Sequence, residues 1–232
     1  MTADTGQGPL RLHTPFDLRD APPILPLISP TGSDRIHEVV RAMNAAGVVA
    51  VEVTLRHADA IEALRRAAAS APPGMIVGVG TVRTIRQLDE AVAAGAAFMV
   101  SPGLDERLAA RAAEHRVPYV PGVATPTEVM AAARLGLNVL KFFPAEAMGG
   151  VAALKALIEP FPDIAFIPTG GIGEGNLAGY LELPNVWCCG GSWLAPAAEL
   201  ARGDVSAIAG RVDRARAVAT AIAVERAKSP PG

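Results

Sequence analysis

Short apolar runs rich in Val and Ile alternate eight times with longer Ala/Leu/Arg/Glu segments of helical period. No other feature of the chain narrows its fold as much. The runs are 24–28, 48–55, 75–82, 97–100, 117–123, 138–143, 165–168 and 186–190. The segments between them predict helices over 34–46, 58–69, 85–93, 105–115, 127–135 and 151–158, a short one near 175–180, and one within 205–227. Ser33 or Asp34 is placed to cap the first. Strands joined by crossover helices are parallel and buried on both faces, which explains why the runs are apolar almost throughout. Eight such units in 232 residues predict an α/β fold with a single (β/α)8 TIM barrel over 22–228. It follows an N-terminal extension, 1–21, read as a loose segment with room for one helical turn. A doubly wound open sheet is the competing topology, but no Gly-rich dinucleotide fingerprint follows the first run. Residues 229–232, Ser-Pro-Pro-Gly, read as a frayed end.

Composition removes several functions. The chain is 50% hydrophobic with a net charge of −2, which argues against disorder. With 21 Lys+Arg against 23 Asp+Glu there is no bulk basic excess, so no nucleic-acid partner is expected. The longest uncharged stretch, 183–198, is interrupted by Pro and Gly, so no membrane span is expected either. The first 20 residues carry Asp4, Arg11, Asp17, Arg19 and Asp20 with no apolar block, unlike a signal peptide. Cys188 and Cys189 are adjacent in an apolar run. A vicinal disulfide is strained, so both read as small buried hydrophobes in a reducing, cytoplasmic setting. His13, His37, His57 and His115 are scattered without metal-ligand spacing, so no metal is expected. Only His57 falls near the candidate site described next.

In a barrel of this kind chemistry sits at the C-terminal ends of the strands. The second run ends Glu52-Val-Thr54-Leu-Arg56, and alternation puts Glu52, Thr54 and Arg56 on one face. They read either as a structural Glu–Arg pair or as a proton-transfer carboxylate beside an anion-holding Arg. Lysine is scarce: Lys141, Lys155 and Lys228 are the only three. Lys141 lies between Leu140 and Phe142 in the sixth run, where burial disfavours the ammonium and leaves a nucleophilic amine. A structural lysine snorkelling to water is the alternative. Lys155 falls on a solvated helix face and Lys228 in the tail. The seventh run ends in Thr169-Gly170-Gly171, and the eighth in Gly190-Gly191-Ser192. Paired glycines let backbone N–H groups approach an anion, and these two loops are the usual phosphate site of the barrel. Two tight turns that simply need Gly are the plainer reading. Thr81, after the third run, can donate to a carboxylate or cap the next helix.

These residues together resemble the family of aldolases acting on 2-keto-3-deoxy-6-phosphogluconate (KDPG) and 4-hydroxy-2-oxoglutarate (KHG). The resemblance is carried by GVVAVEVTLR at 47–56, GVGTV at 78–82, SPG at 101–103, PGVATPTE at 121–128, KFFPAE at 141–146, PTGGI at 168–172 and CCGGSWL at 188–194. It implies a metal-free, cofactor-free, trimeric class I aldolase taking a phosphorylated 2-keto acid and forming a Schiff base with pyruvate. By resemblance Lys141 is the Schiff-base lysine and Glu52 the general acid/base. Arg56 and Thr81 match carboxylate-binding positions, and Pro102 and Phe143 line the pyruvate pocket. Thr169, Gly170, Gly171 and Ser192 match ligand contacts, with Ser192 and the Gly pairs on the phosphate side. His57 and Arg83 depart from the common pattern at positions able to tune specificity.

Three alternatives remain at this level. The same lysine chemistry could act on KHG or on the galactonate epimer of KDPG. A phosphate-binding barrel isomerase or synthase, such as a thiamin phosphate synthase relative, would not need a buried lysine on the sixth strand. A non-catalytic ligand-binding barrel would tolerate Lys141→Arg.

Overall fold

The computed structural model describes residues 23–30 and 35–228. The extension at 1–21, His13, the Ser33/Asp34 cap and the 229–232 end lie outside the described residues. Strands and helices alternate: β1 (Ile24–Ile28), α1 (Ile36–Ala45), β2 (Ala50–Thr54), α2 (Ala60–Ser70), β3 (Ile76–Gly80), α3 (Ile85–Ala93), β4 (Met99–Val100), α4 (Glu106–His115). They continue with β5 (Tyr119–Val120), β6 (Gly122–Val123), α5 (Pro126–Arg134), β7 (Val139–Phe142), α6 (Gly150–Ala156), β8 (Ala165–Pro168), α7 (Leu177–Leu181), β9 (Cys189–Gly191), α8 (Ala197–Arg202) and α9 (Val205–Lys228).

All the strand pairs are parallel. They form a six-stranded ladder, β5-β4-β3-β2-β1-β9, and a three-stranded ladder, β6-β7-β8. The architecture is parallel α/β, with its strands in two ladders. The expected strand at 117–123 is two short pieces, because Pro121 has no N–H to give to a ladder. Its carbonyl still accepts from Lys141 N at 2.9 Å. The last strand begins at Cys189 rather than Val186 and runs through Gly191, one residue past its expected end at Gly190. Two isolated parallel bridges, Phe166–Val186 and Thr169–Gly190, connect the β8 segment to the β9 segment.

Helix starts follow their caps. Thr84 accepts from Gln87 N, so Thr84 and not Thr81 caps α3. Asp105 accepts from Arg107 N and Leu108 N at the start of α4. Thr125 and Glu128 form a capping box on α5. The short α8 was not expected from the sequence. Glu199 on it is bonded by Arg211 of α9, and Gly203 ends it in a left-handed conformation (φ 65°).

The pleat divides the core in two. Val51, Val53, Val77, Val79, Leu140, Phe142 and Phe166 pack outward beneath the helices. Leu25, Leu27, Ala50, Phe98, Val100, Val120, Val139, Ala165 and Ile167 form a second apolar cluster on the opposite face, drawn from both ladders. This second face carries the chemistry. Among the described residues no helix is long and apolar enough to cross a membrane.

Candidate active site

Side chains on one strand alternate between faces. Ala50 faces the inner cluster, so Glu52 and Thr54 do too. Val139 faces it, so Lys141 does as well. The two elements bring Lys141 Nζ to 3.9 Å from Glu52 Oε1, with side chains 4% and 1% exposed. A lysine this buried has not snorkelled to water. The separation exceeds a direct hydrogen bond, so the amine and the carboxylate are close neighbours whose hydrogen-bonding capacity is not spent on each other. Glu52 Oε1 is buried without a hydrogen-bond partner among the described residues. An unmatched buried acceptor costs about 1–3 kcal/mol, a cost expected where a substrate group completes the network. The Phe143 ring forms the adjoining wall, its centroid 5.0 Å from Lys141 Nζ.

Small residues make the space. The inner face of β3 carries Gly78 and Gly80, and a Cβ on either would overlap a neighbour: the Phe98 ring at Gly78, the Glu52 carboxylate at Gly80. Gly122 pairs with Lys141 across β6 and β7, and a Cβ there would strike the Pro102 carbonyl. The Ser101–Gly103 turn is thereby pressed against the lysine's neighbouring strand. Ser101 Oγ donates to Gly103 O at 2.5 Å and pairs with the Tyr119 hydroxyl at 2.7 Å. Burial pushes the Tyr119 phenol up, so it stays a hydroxyl in this network. Thr54 Oγ1 donates to Ile28 O at 3.4 Å and ties β2 to β1.

The other expected site residues are dispersed differently. Arg56 is not on the strand. The β2–β3 pairing ends where Leu55 N donates to Gly80 O, and Arg56 N turns back onto Thr54 O at 2.9 Å. Arg56 is exposed, and no ion pair joins it to Glu52, so the structural Glu–Arg pair does not form. His57 is also exposed in this turn. Thr81 is half-buried just past β3 with a left-handed backbone (φ 62°), unusual for a β-branched residue. Thr169 is buried beside Gly190, where a Cβ would overlap its Oγ1. Gly170 and Gly171 have φ of 98° and 84°, so that turn does require glycine. Gly191 is extended (φ −169°) and is small because the Trp193 indole lies against it. Ser192 is exposed at the start of a single 3₁₀ turn, Ser192–Leu194. Lys155 is exposed on α6, as expected. Among the described residues no group of three or more His, Cys, Asp or Glu could hold a metal.

The sequence pattern of the KDPG and KHG aldolases matches residues 17–211. The chain belongs to that family. A 2-dehydro-3-deoxy-phosphogluconate aldolase of Dickeya dadantii is 46% identical over 201 residues, 87% of this chain and 94% of the relative. A KDPG aldolase from Legionella pneumophila, solved with pyruvate captured at low pH as a covalent carbinolamine intermediate, superposes with a TM-score of 0.81. It is 39% identical and covers 84% of this chain and 95% of that one. A Zymomonas mobilis KDPG aldolase solved with 3-phosphoglycerate gives a TM-score of 0.79 at 39% identity, covering 84% and 91%.

In this aldolase-family chain, reasoning from sequence passed over two polar contacts beside the site. One is the Ser101–Tyr119 pair. The other joins Glu146, on a 3₁₀ turn (Glu146–Met148) after β7, to the buried Tyr180 of α7 through a hydrogen bond. Tyr180 had a legible signal: a lone Tyr in an apolar helix needs a partner for its hydroxyl.

Proposed function

We propose that the chain is a class I aldolase that cleaves KDPG to pyruvate and glyceraldehyde 3-phosphate, with Lys141 as nucleophile and Glu52 as acid/base. The observation that carries this is the buried approach of Lys141 Nζ to Glu52 Oε1 at 3.9 Å, with that oxygen otherwise unpaired. The Lys141 amine adds to the C2 carbonyl, and the carbinolamine loses water to give an iminium. Glu52, directly or through water, takes the C4 hydroxyl proton. The C3–C4 bond breaks, its electrons pass into the iminium, and an enamine forms as glyceraldehyde 3-phosphate departs. Protonation at C3 and hydrolysis release pyruvate and the free amine. Acid–base assistance of this kind contributes about 10²–10⁴-fold, and the covalent enamine replaces an inaccessible carbanion.

Arg56 and Thr81 are assigned to the substrate carboxylate, Pro102 and Phe143 to the pyruvate pocket. Thr169, Gly170, Gly171, Gly190, Gly191 and Ser192 are assigned to the distal end of the substrate. The Phe143 ring beside Nζ and the packing of Thr169 against Gly190 support these placements. The two ladders are read as one (β/α)8 barrel domain over 22–228, supported by the Phe166–Val186 and Thr169–Gly190 bridges on one side and Pro121 on the other. The homotrimer rests on family resemblance. A cytoplasmic setting is supported by the two free thiols. KHG is a second substrate reading, favoured by a family whose members act on both compounds.

The test is reductive trapping. Incubation with pyruvate and borohydride, followed by digestion and mass spectrometry, is expected to place the adduct on the Lys141 peptide. A clean negative, or labelling at Lys155, overturns the mechanism.

A further inference from the structure

We propose that Glu146 and Tyr180 are positioning residues that hold the loop after β8 so that its peptide N–H groups face the phosphate of the substrate; this rests on the aldolase reading above. Three successive carbonyls of the loop are anchored. Thr169 O accepts from Ala145 N at 2.8 Å, and Gly170 O accepts from Glu146 N at 3.1 Å. Gly171 O accepts from Asn176 Nδ2 at 3.0 Å, and Asn176 Oδ1 accepts from Gly173 N at 2.8 Å. In a trans peptide the N–H points opposite to the C=O. The Gly170 N–H lies on the Gly190 side of the Thr169–Gly190 bridge, whereas those of Gly171 and Ile172 turn away from these anchors and have no backbone partner among the described residues. Clustered free N–H groups are a ready anion site.

Glu146 supplies one of these anchors through its backbone N–H and packs its side chain on the loop. Its side chain lies over Gly171, where a Cβ would overlap Cγ. On the other side a Cβ on Gly150 would come to 3.1 Å from Glu146 Oε1 and 3.2 Å from the Tyr180 hydroxyl. The Tyr180 hydroxyl donates to Glu146 Oε1, from a side chain with no solvent exposure. Burial first, and then the Glu146 carboxylate, push the Tyr180 phenol up, so it remains a donor. The hydrogen bond joins the exit of β7 to α7 and spans the loop between them. It also holds the Glu146 carboxylate between Gly150 and Tyr180. A released carboxylate would leave the loop slack and repel an incoming phosphate.

The experiment compares Tyr180→Phe, Glu146→Ala and Glu146→Gln in two assays. One is exchange of the pyruvate methyl protons in D2O, which needs the amine and the acid/base but no phosphate. The other is KDPG cleavage, with inorganic phosphate as competing inhibitor. Tyr180→Phe and Glu146→Ala are expected to keep exchange within about twofold while KM for KDPG and Ki for phosphate rise about tenfold, the scale of a lost charge-assisted hydrogen bond. Glu146→Gln retains an acceptor for Tyr180 and is expected to stay near wild type. Proportional loss of exchange and cleavage in folded variants would make the pair merely structural and overturn the proposal. Unchanged KM and Ki would overturn it as well. A wild-type enzyme that fails to exchange pyruvate would instead sink the aldolase reading.

Discussion

The Glu52 carboxylate lies against the α-carbon of Gly80, so close that a Cβ at position 80 would occupy the place of Oε1. Gly80 therefore sets where the carboxylate stands relative to Lys141. Gly80→Ala is expected to lower kcat for KDPG cleavage at least tenfold, because a displacement of about 1 Å in a reacting group costs on the order of 10²-fold. Borohydride trapping of pyruvate should persist, since the amine is untouched. A variant with wild-type kcat would show that the position of Glu52 is unimportant.

The same separation of roles applies to the two charged groups. Lys141→Arg is expected to abolish both trapping and turnover, because guanidinium stays protonated and cannot add to a carbonyl. Glu52→Gln should still trap pyruvate yet lose about 10²–10⁴-fold in kcat, the usual contribution of a positioned acid/base. Measured turnover in Lys141→Arg would show that the reaction does not pass through a Schiff base on Lys141.

Thr81 offers a case where stability and activity should move apart. Its left-handed φ of 62° is unfavourable for a β-branched side chain, a strain of about 1–3 kcal/mol. Thr81→Gly relieves it and is expected to raise the unfolding free energy by about 1 kcal/mol once glycine's greater unfolded-state entropy is set against the gain, read as a higher denaturation midpoint. Loss of the hydroxyl should lower kcat/KM. If activity is unchanged while stability rises, Thr81 does not touch the substrate.

The pairing of Lys141 with Glu52 was legible because a two-residue period needs only a correct face, and β2 and β7 keep theirs. Arg56 was misplaced by extending that period two residues too far. Where the ladder stops depends on the partner strand, and β3 ends at Gly80. Pro121 shows the reverse: its missing donor was visible, but the sequence alone did not say that the strand would break there into two ladders. The paired glycines were read as anion-binding loops or tight turns. Gly78, Gly80, Gly122 and Gly190 instead make room for a ring, a carboxylate, a carbonyl and a hydroxyl from distant segments. No local pattern encodes such contacts.

Cys188 and Cys189 are fully buried free thiols, and burial pushes both well up from their ordinary range, with the Glu52 carboxylate adding to the shift at Cys188. Native protein at pH 8 is therefore expected to react with a thiol reagent only as fast as it opens, and both residues should label promptly in denaturant. Rapid labelling of native protein would place at least one thiol at the surface.

Acid should act on the α3–α4 contact. Asp89 Oδ1 accepts from Arg111 Nε and pairs with His115 Nε2, each at 2.8 Å. The Arg111 hydrogen bond first, and then His115, hold the Asp89 carboxyl below its ordinary value. A carboxyl whose folded value is depressed contributes stability above its unfolded value, near pH 4, and loses it as pH falls through the folded value. Both partners are substantially exposed, so the contribution is small and screened by salt. Asp89→Asn is expected to be slightly less stable than wild type at pH 7 in low salt. The difference should shrink toward pH 3, where wild type loses the same interaction. Urea unfolding at the two pH values measures this, and a difference that does not change with pH would mean that Asp89 contributes through packing rather than charge.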